Sequence, residues 1–397
     1  MSTSRANRKR CSLPSDRLFG PALTSPEMAA ALSDEAWLAA MLHFEAALAQ
    51  AEADLGVVSA AAAEAVVRAC RVGRYDVAEL GRAAIGSANP VVPLIEAIQR
   101  NGGAEAHHGA TSQDTLDTAM MLVAREGLDL LLADLERLAG MCAGLAESHR
   151  GTVMAGRTLL QQAVPVTFGL KAAGWLGGVG AAADRLREVR KSRLAVQLGG
   201  AAGTLAALGE RGPAVAAGLA MRLGLPVPPM PWHSERSRIA EIGAALWMAG
   251  GAAAKIAQDL VLLAQTEVGE VAEARPGGSS TMPHKQNPVA SIEALSALRL
   301  LEGPVNVLMR SMTGEHERAA GSWQAEWPAL TEAFLVAAGV VRRTNDALDG
   351  LQVDAERMLR NIDQATIAPA TDARDQLGAT DTIIDAALAA WKRREIK

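Results

Sequence analysis

The chain has 397 residues, of which 49% are hydrophobic and 21% charged, and its net charge is −5. That balance excludes a disordered or low-complexity chain, and it supplies no basic field to hold nucleic acid or an anionic membrane. Aromatics are only 3% and Ala, Leu and Gly dominate, which favours helices over strands.

Residues 1–20 read as a disordered tail rich in Ser, Arg and Lys, without the apolar core of a secretory signal. An N-terminal helical domain is expected over 21–107. Its first long helix has Ser33 as N-cap, Asp34 and Glu35 in the first turn, and an end at Asp54, with Gly56 just beyond. Shorter helices follow, broken near Gly73, Gly81, Gly86 and the turn at 89–93.

A central bundle is expected over 108–350. From Ser112 to Arg150 there is no proline, and Leu116, Met120, Val123, Leu128, Leu131, Leu135, Leu138 and Cys142 recur mostly at steps of three or four. That is one buried stripe of a helix about 55 Å long. Further long helices are expected from about Pro165 to Leu194, from Arg238 to about Ala274, and from Pro288 onward, the last kinked at Pro304. Helices of this length predict an all-α, elongated antiparallel bundle. Residues 351–397 read as a short C-terminal helical region.

Cys11, Cys70 and Cys142 have neither paired nor metal-type spacing, so the expectation is a reduced, cytoplasmic protein without disulfides. No uncharged apolar run of about 18 residues is present, so no membrane span is expected. Gly178–Ala183 fits a loose dinucleotide pattern, but it lies inside an expected helix with no strand before it. His107 and His108 are adjacent and are expected to point different ways, which argues against a shared metal. No cofactor and no metal are expected.

Three polar islands interrupt the Ala/Leu background. The first covers 106–114, with His107, His108, Thr111, Ser112 and Gln113 at the start of the longest helix, a natural seat for a carboxylate. The second covers 156–165, with Arg157, Thr158, Leu159 and Gln161. The third covers 275–288, where Ser279, Ser280, Met282, Lys285 and Asn287 sit in a Gly/Pro-rich loop. The first two islands flank one rod about 50 Å long and cannot form one pocket within a single chain. If they cooperate, at least two chains must share the site. Arg236 and Arg238 stand between a substrate role and a solvated helix face; Trp232 and His233 receive no role.

The islands resemble the motifs of the fumarase/aspartase superfamily. The segment 278–288 fits its signature GSSxMPxKxNP at every fixed position. Segments 110–114 and 156–165 resemble its other two motifs in the expected order, and Gln197–Thr204 and His316–Arg318 are similar to weaker ones. The resemblance covers roughly 30–350. It implies an all-helical homotetramer with shared active sites, acting on a small-molecule carboxylate. It implies Ser279 as the catalytic serine, with Ser280 as the fallback, supported by Lys285. His107, His108, Thr111, Ser112, Gln113, Arg157, Thr158, Leu159, Gln161, Ser280, Met282, Asn287 and Arg318 would then bind the substrate.

One departure points to a subfamily. Fumarases, argininosuccinate lyases and adenylosuccinate lyases carry His where this chain has Leu159. Expelling hydroxide or an amine requires protonation of the leaving group, which leucine cannot supply. A carboxylate that adds to carbon is already ionised and needs no such acid. The resemblance therefore leans toward the cycloisomerases that close the tricarboxylate 3-carboxy-cis,cis-muconate to 4-carboxymuconolactone in the protocatechuate branch of the β-ketoadipate pathway. Adenylosuccinate lyase-type elimination and an inactive scaffold of the same fold are the alternatives. The region after Val353 is shorter than the family's usual third domain.

Overall fold

The computed structural model describes residues 18–282, 284–363 and 372–395. Of the tail expected over 1–20, residues 1–17 lie outside the described part, and Gly20 already opens a helix. The N-terminal helices are α1 (Gly20–Leu23), α2 (Pro26–Ala31), α3 (Asp34–Asp54), α4 (Ala60–Ala69), α5 (Val77–Ala84) and α6 (Val91–Arg100). Ser33 caps α3 as expected, its Oγ accepting from the Ala36 N–H at 3.2 Å. Gly81 does not break a helix but lies inside α5.

The central elements are α7 (Ser112–Ser148), strands β1 (Val153–Thr158) and β2 (Gln161–Thr167), α8 (Phe168–Ser192), α9 (Gly212–Leu223) and α10 (Ser237–Leu263). After them come β3 (Val271–Ala272), α11 (Val289–Arg310), α12 (Ser322–Leu348), β4 (Gln352–Val353), α13 (Ala355–Arg360) and α14 (Thr380–Glu395). The long helices α7, α8, α10, α11 and α12 pack together into the expected bundle. Leu116, Met120, Val123, Leu128, Leu131, Leu135, Leu138 and Cys142 are all buried along α7. Among the described residues, α10 is the one helix long and apolar enough to cross a membrane, and most of it is buried inside the bundle. The pattern 178–183 lies well inside α8, about ten residues past the junction of β2 with that helix, so it does not form the strand-to-helix turn of a dinucleotide site.

Two expectations need correction. The second island is not a turn leading into a helix at Pro165 but an antiparallel hairpin, β1–β2, and the helix starts only at Phe168. Thr167 caps the true start by accepting from the Leu170 N–H at 3.0 Å. The third helix ends at Leu263 rather than near Ala274, because the chain turns and Val271–Ala272 pair with Gln352–Val353. The C-terminal region also reaches back onto the bundle: α14 packs on α8 and α7, with Arg394 Nε 2.7 Å from Asp184 and Arg150 on Asp385 at 2.8 Å. α11 continues through Pro304, which removes the N–H that would bond the Leu300 carbonyl.

Candidate active site

The residues singled out in the sequence form two groups at opposite ends of the bundle. At the first end, Asp114 joins three segments. Its Oδ1 accepts from the Gly199 N–H at 2.9 Å and lies 2.7 Å from His233 Nε2; its Oδ2 accepts from the N–H groups of Gly200 at 2.9 Å and Thr111 at 3.0 Å. These bonds fix the start of α7, where Thr111 and Ser112 remain half-exposed beside the helix N-terminus. Arg318 joins the same end, donating to the Ala201 carbonyl at 3.1 Å. Gln113 is fully buried and donates to the His233 carbonyl at 2.8 Å, so its amide holds that loop.

His107 and His108 do not diverge as adjacent residues in a regular element would. His107 adopts φ +67, and both rings reach α3: His107 Nδ1 is 2.8 Å from Glu45 Oε1, and His108 Nδ1 is 3.0 Å from Glu52 Oε1. Both carboxylates are buried. Burial acts against charge on His107, but Glu45, followed by Asp114 and Glu52, outweighs it and holds the imidazole pKa above its ordinary value. Burial pushes the Glu52 carboxyl up to about 7, against the pull of His108.

Behind this end, Arg236 is neither a substrate cation nor a solvated one. It is buried between Asp117 and Glu326, with NH1 2.7 Å from Asp117 Oδ2, Nε 3.0 Å from Glu326 Oε1, and a further close bond to Glu326 Oε2. Burial opposes its charge, yet the two carboxylates hold its pKa above the usual guanidinium value. Trp323 Nε1 also donates to Asp117, at 3.0 Å. Trp232 is buried against the Arg236 and Arg238 guanidiniums, 4.8 and 4.7 Å from its ring centroid. Sequence reasoning gave His233 and Trp232 no part, because nothing local marks them; the hydrogen-bond partners of their side chains, Asp114 and Val196, stand more than thirty residues away in the chain.

The second end carries the hairpin and the signature loop. Arg157 forms a two-point pair with buried Glu270, at 3.0 and 2.6 Å, so its charge is balanced within the chain. Asn361 donates to the same carboxylate at 2.9 Å. Gly156 sits at a register shift where a Cβ would lie 2.5 Å from the Val164 carbonyl oxygen, so only glycine fits. The hairpin turns through Leu159 and Leu160, with Thr158 paired to Gln161. Both leucines have positive φ, 50 and 65, and are 96% and 77% exposed. A two-residue turn of this hand ordinarily takes Asn-Gly. Branched apolar side chains here cost about 1–2 kcal/mol each in backbone strain.

The signature loop is closed at its base by reciprocal bonds between Gly277 and Asn287, at 2.8 and 2.9 Å. A Cβ on Gly277 would come 2.2 Å from Val289 Cγ1, so the approach requires glycine. Buried Glu273 accepts from the Ala290 and Ser291 N–H groups at 3.1 and 2.9 Å and fixes the start of α11. Within the loop, the half-buried Ser279 Oγ accepts from two backbone N–H groups, Thr281 at 3.3 Å and Met282 at 3.1 Å. Such donors stabilise an alkoxide more than a hydroxyl. Ser280, Met282 and Lys285 are exposed, and no described carboxylate lies within ion-pairing distance of the Lys285 amine. Pro283 of the signature lies outside the described residues.

α12 measures the gap between the ends. Trp323 near its start bonds Asp117, and Asp349 just past its end pairs with Arg275 of the signature loop at 2.9 Å. Its 27 residues span about 40 Å. His107 and Ser279 of one chain therefore cannot touch one small substrate.

A family profile described as lyase matches residues 20–299. A 3-carboxy-cis,cis-muconate cycloisomerase of Bradyrhizobium diazoefficiens is 47% identical over 356 residues, covering 87% of this chain and 79% of that protein. This chain belongs to the fumarase/aspartase superfamily of lyases. A superfamily relative, nitrosuccinate lyase of Streptomyces davaonensis, is 45% identical over 364 residues, covering 87% of this chain and 77% of that protein. The crystal structure of the 3-carboxy-cis,cis-muconate lactonizing enzyme of Pseudomonas putida superposes with a TM-score of 0.89 at 34% identity, covering 95% of this chain and 99% of that one. The superfamily fold accounts for the all-helical bundle.

Proposed function

We propose that this chain is a cycloisomerase that converts 3-carboxy-cis,cis-muconate to 4-carboxymuconolactone, assembled as a homotetramer in the cytoplasm. The observation that carries the reading is the pairing of a hairpin tip without any titratable group, Leu159–Leu160, with a serine held by two backbone N–H groups. The high identity to cycloisomerases supports the substrate.

In this reading a substrate carboxylate adds to the conjugated double bond of the same molecule. A C–O bond forms, and the π electrons move onto the conjugated carboxylate as an enolate. Ser279 gives its proton to the adjacent carbon, and the resulting alkoxide, stabilised by the Thr281 and Met282 N–H groups, regains a proton from solvent. Lys285, Asn287, Ser280 and Met282 bind at the loop. Thr111, Ser112 and the His107 and His108 rings hold the other carboxylates, with Arg318 beside them. Arg157 and Gln113 brace the hairpin and the His233 loop that line the site. Thr158, Leu159 and Gln161 cover the substrate. No step uses a cofactor or a metal.

Because α12, about 40 Å long, separates the two ends of one chain, the site in this reading is assembled from neighbouring chains. The exposed leucines of the hairpin support this. So do Ile292, Leu300 and Val307, exposed along one face of α11, and Trp247 and Met248 on α10.

A second reading has one observation in its favour. An elimination that expels nitrite from nitrosuccinate also needs no acid for its leaving group, so Leu159 is compatible with it, and a nitrosuccinate lyase is 45% identical. Parallel ultraviolet assays with 3-carboxymuconate, nitrosuccinate and adenylosuccinate decide between them. Loss of the conjugated-diene absorbance with carboxymuconate alone is the expected result. Efficient turnover of adenylosuccinate would defeat the argument from Leu159.

A further inference from the structure

Two consecutive histidines are both bound to buried carboxylates of one helix. Glu45 and Glu52 lie seven residues apart on the same face of α3, about 10 Å along its axis. Consecutive side chains in an extended segment point to opposite sides. The positive φ of His107 lets both rings face α3. A non-glycine residue is held in that conformation only when its surroundings over-determine it. Here they do: Glu45 Oε1 takes His107 Nδ1 at 2.8 Å and the Thr115 hydroxyl at 2.8 Å, and Glu52 Oε1 takes His108 Nδ1 at 3.0 Å.

The second oxygens, Glu45 Oε2 and Glu52 Oε2, are buried without a hydrogen-bond partner among the described residues. A buried carboxylate left so exposed to its own desolvation needs the proton of its histidine partner. The His107 ring therefore donates Nδ1–H inward to Glu45, whereas Glu52, pushed up to about 7, shares a proton with His108 near neutrality. Neither Nε2 has a protein partner among the described residues, and both side chains keep some exposure. No third metal-type ligand joins either pair among the described residues, so the outward Nε2 positions suit an organic anion.

We infer that Glu45 is a positioning residue: by taking the Nδ1–H of His107 it keeps that ring an imidazolium whose Nε2–H is left for a substrate carboxylate. This inference rests on the tricarboxylate reading for the identity of the anion, but not for the state of the ring. The groups facing His107 are Glu45 and Glu52 on α3 and Asp114 at the start of α7, all acidic and all favouring the cation. Glu105, from the preceding loop, adds its charge around Glu52. Burial pushes the Cys70 thiol, which faces Glu45, up to about 12, so it stays neutral and does not compete. The direction follows: the cation persists above the ordinary histidine range and is lost as pH rises through the raised value.

The test uses the whole protein with ring-15N histidine, followed by NMR against pH, with a His107→Gln sample to assign the signal among seven histidines. Expected for the wild type is a His107 ring protonated at Nδ1 throughout, titrating above an ordinary histidine. In Glu45→Gln the titration moves to lower pH, and the alkaline limb of kcat/KM moves with it. KM for the tricarboxylate rises about tenfold, the worth of one charge-assisted hydrogen bond, while kcat changes less. Glu45→Asp recovers part of both effects. A wild-type ring protonated at Nε2 only, or an unchanged titration in folded Glu45→Gln, overturns the inference. The wild-type titration decides alone if the variant does not fold. A shifted titration without any activity on carboxymuconate would leave the dyad standing and defeat the substrate instead.

Discussion

The two ends of the bundle are built on opposite plans. At the histidine end the anchoring charges are buried and bonded: Asp114 has four partners, and Arg236 is enclosed by Asp117 and Glu326. At the loop end the anchoring carboxylates Glu270 and Glu273 are buried, but Ser280, Met282, Lys285, Leu159 and Leu160 stand in the open. A rigid network presents carboxylate-binding groups at fixed positions. An open, glycine-rich loop can close over a bound anion and exclude water. The difference teaches that one chain carries a rigid group of residues at one end and an open loop at the other, and in the proposed shared site a neighbouring chain would bring the two together.

The largest effect is expected at the loop. Ser279→Ala should lower kcat by about 10²–10⁴-fold with a smaller change in KM, since the carboxylates are held elsewhere. Its unfolding free energy should stay within about 0.5 kcal/mol of the wild type, because Ser279 bonds only its own loop. Steady-state kinetics with urea unfolding measures both, and a larger effect from Ser280→Ala would reverse the assignment within the pair.

The opposite profile is expected at the histidine end. Arg236→Ala leaves Asp117 and Glu326 buried without their counter-ion and should cost about 3–5 kcal/mol in urea unfolding. A loss below about 1 kcal/mol would show that this end is not the rigid half.

Mixing the ends tests whether they meet. Refolding Ser279→Ala chains together with Thr111→Ala chains should restore part of the activity that each homo-oligomer lacks, because some mixed sites carry neither lesion. No recovery in oligomers verified to be mixed would separate the two ends functionally.

The smallest effect concerns the hairpin tip. Replacing Leu159–Leu160 by Asn-Gly should relieve about 1–2 kcal/mol of strain per residue in hairpin stability. The same change should raise KM, since the tip no longer covers the substrate. Unaltered kinetics would make the leucines irrelevant to the site.

Much of this was legible in the sequence. The α7 stripe, the Ser33 cap and the signature loop are local patterns, since a helix period, a cap and a short motif each lie within a few tens of residues. The expected separation of the islands followed from rise per residue alone. The hairpin at 153–167 was not legible: its two strands are short, and its turn residues Leu159–Leu160 are not those a two-residue hairpin ordinarily takes. Glu45 and Glu52 were also hidden, because two acids among the apolar residues of a helix look like solvent-facing positions until something packs against them.

The sequence by itself determined that the chain folds as long helices, that it carries one signature loop with Ser279 and Lys285, and that Leu159 stands where a proton donor would otherwise be. Only the tertiary structure decided which charges remain available. Arg236 and Arg157 are balanced by Asp117, Glu326 and Glu270, whereas Glu45 and Asp114 outweigh burial at His107 and hold its pKa above the ordinary value. The reason is physical: a charge in the sequence is defined by composition, but its partners come from segments 60 to more than 100 residues away, and burial multiplies the strength of each pairing.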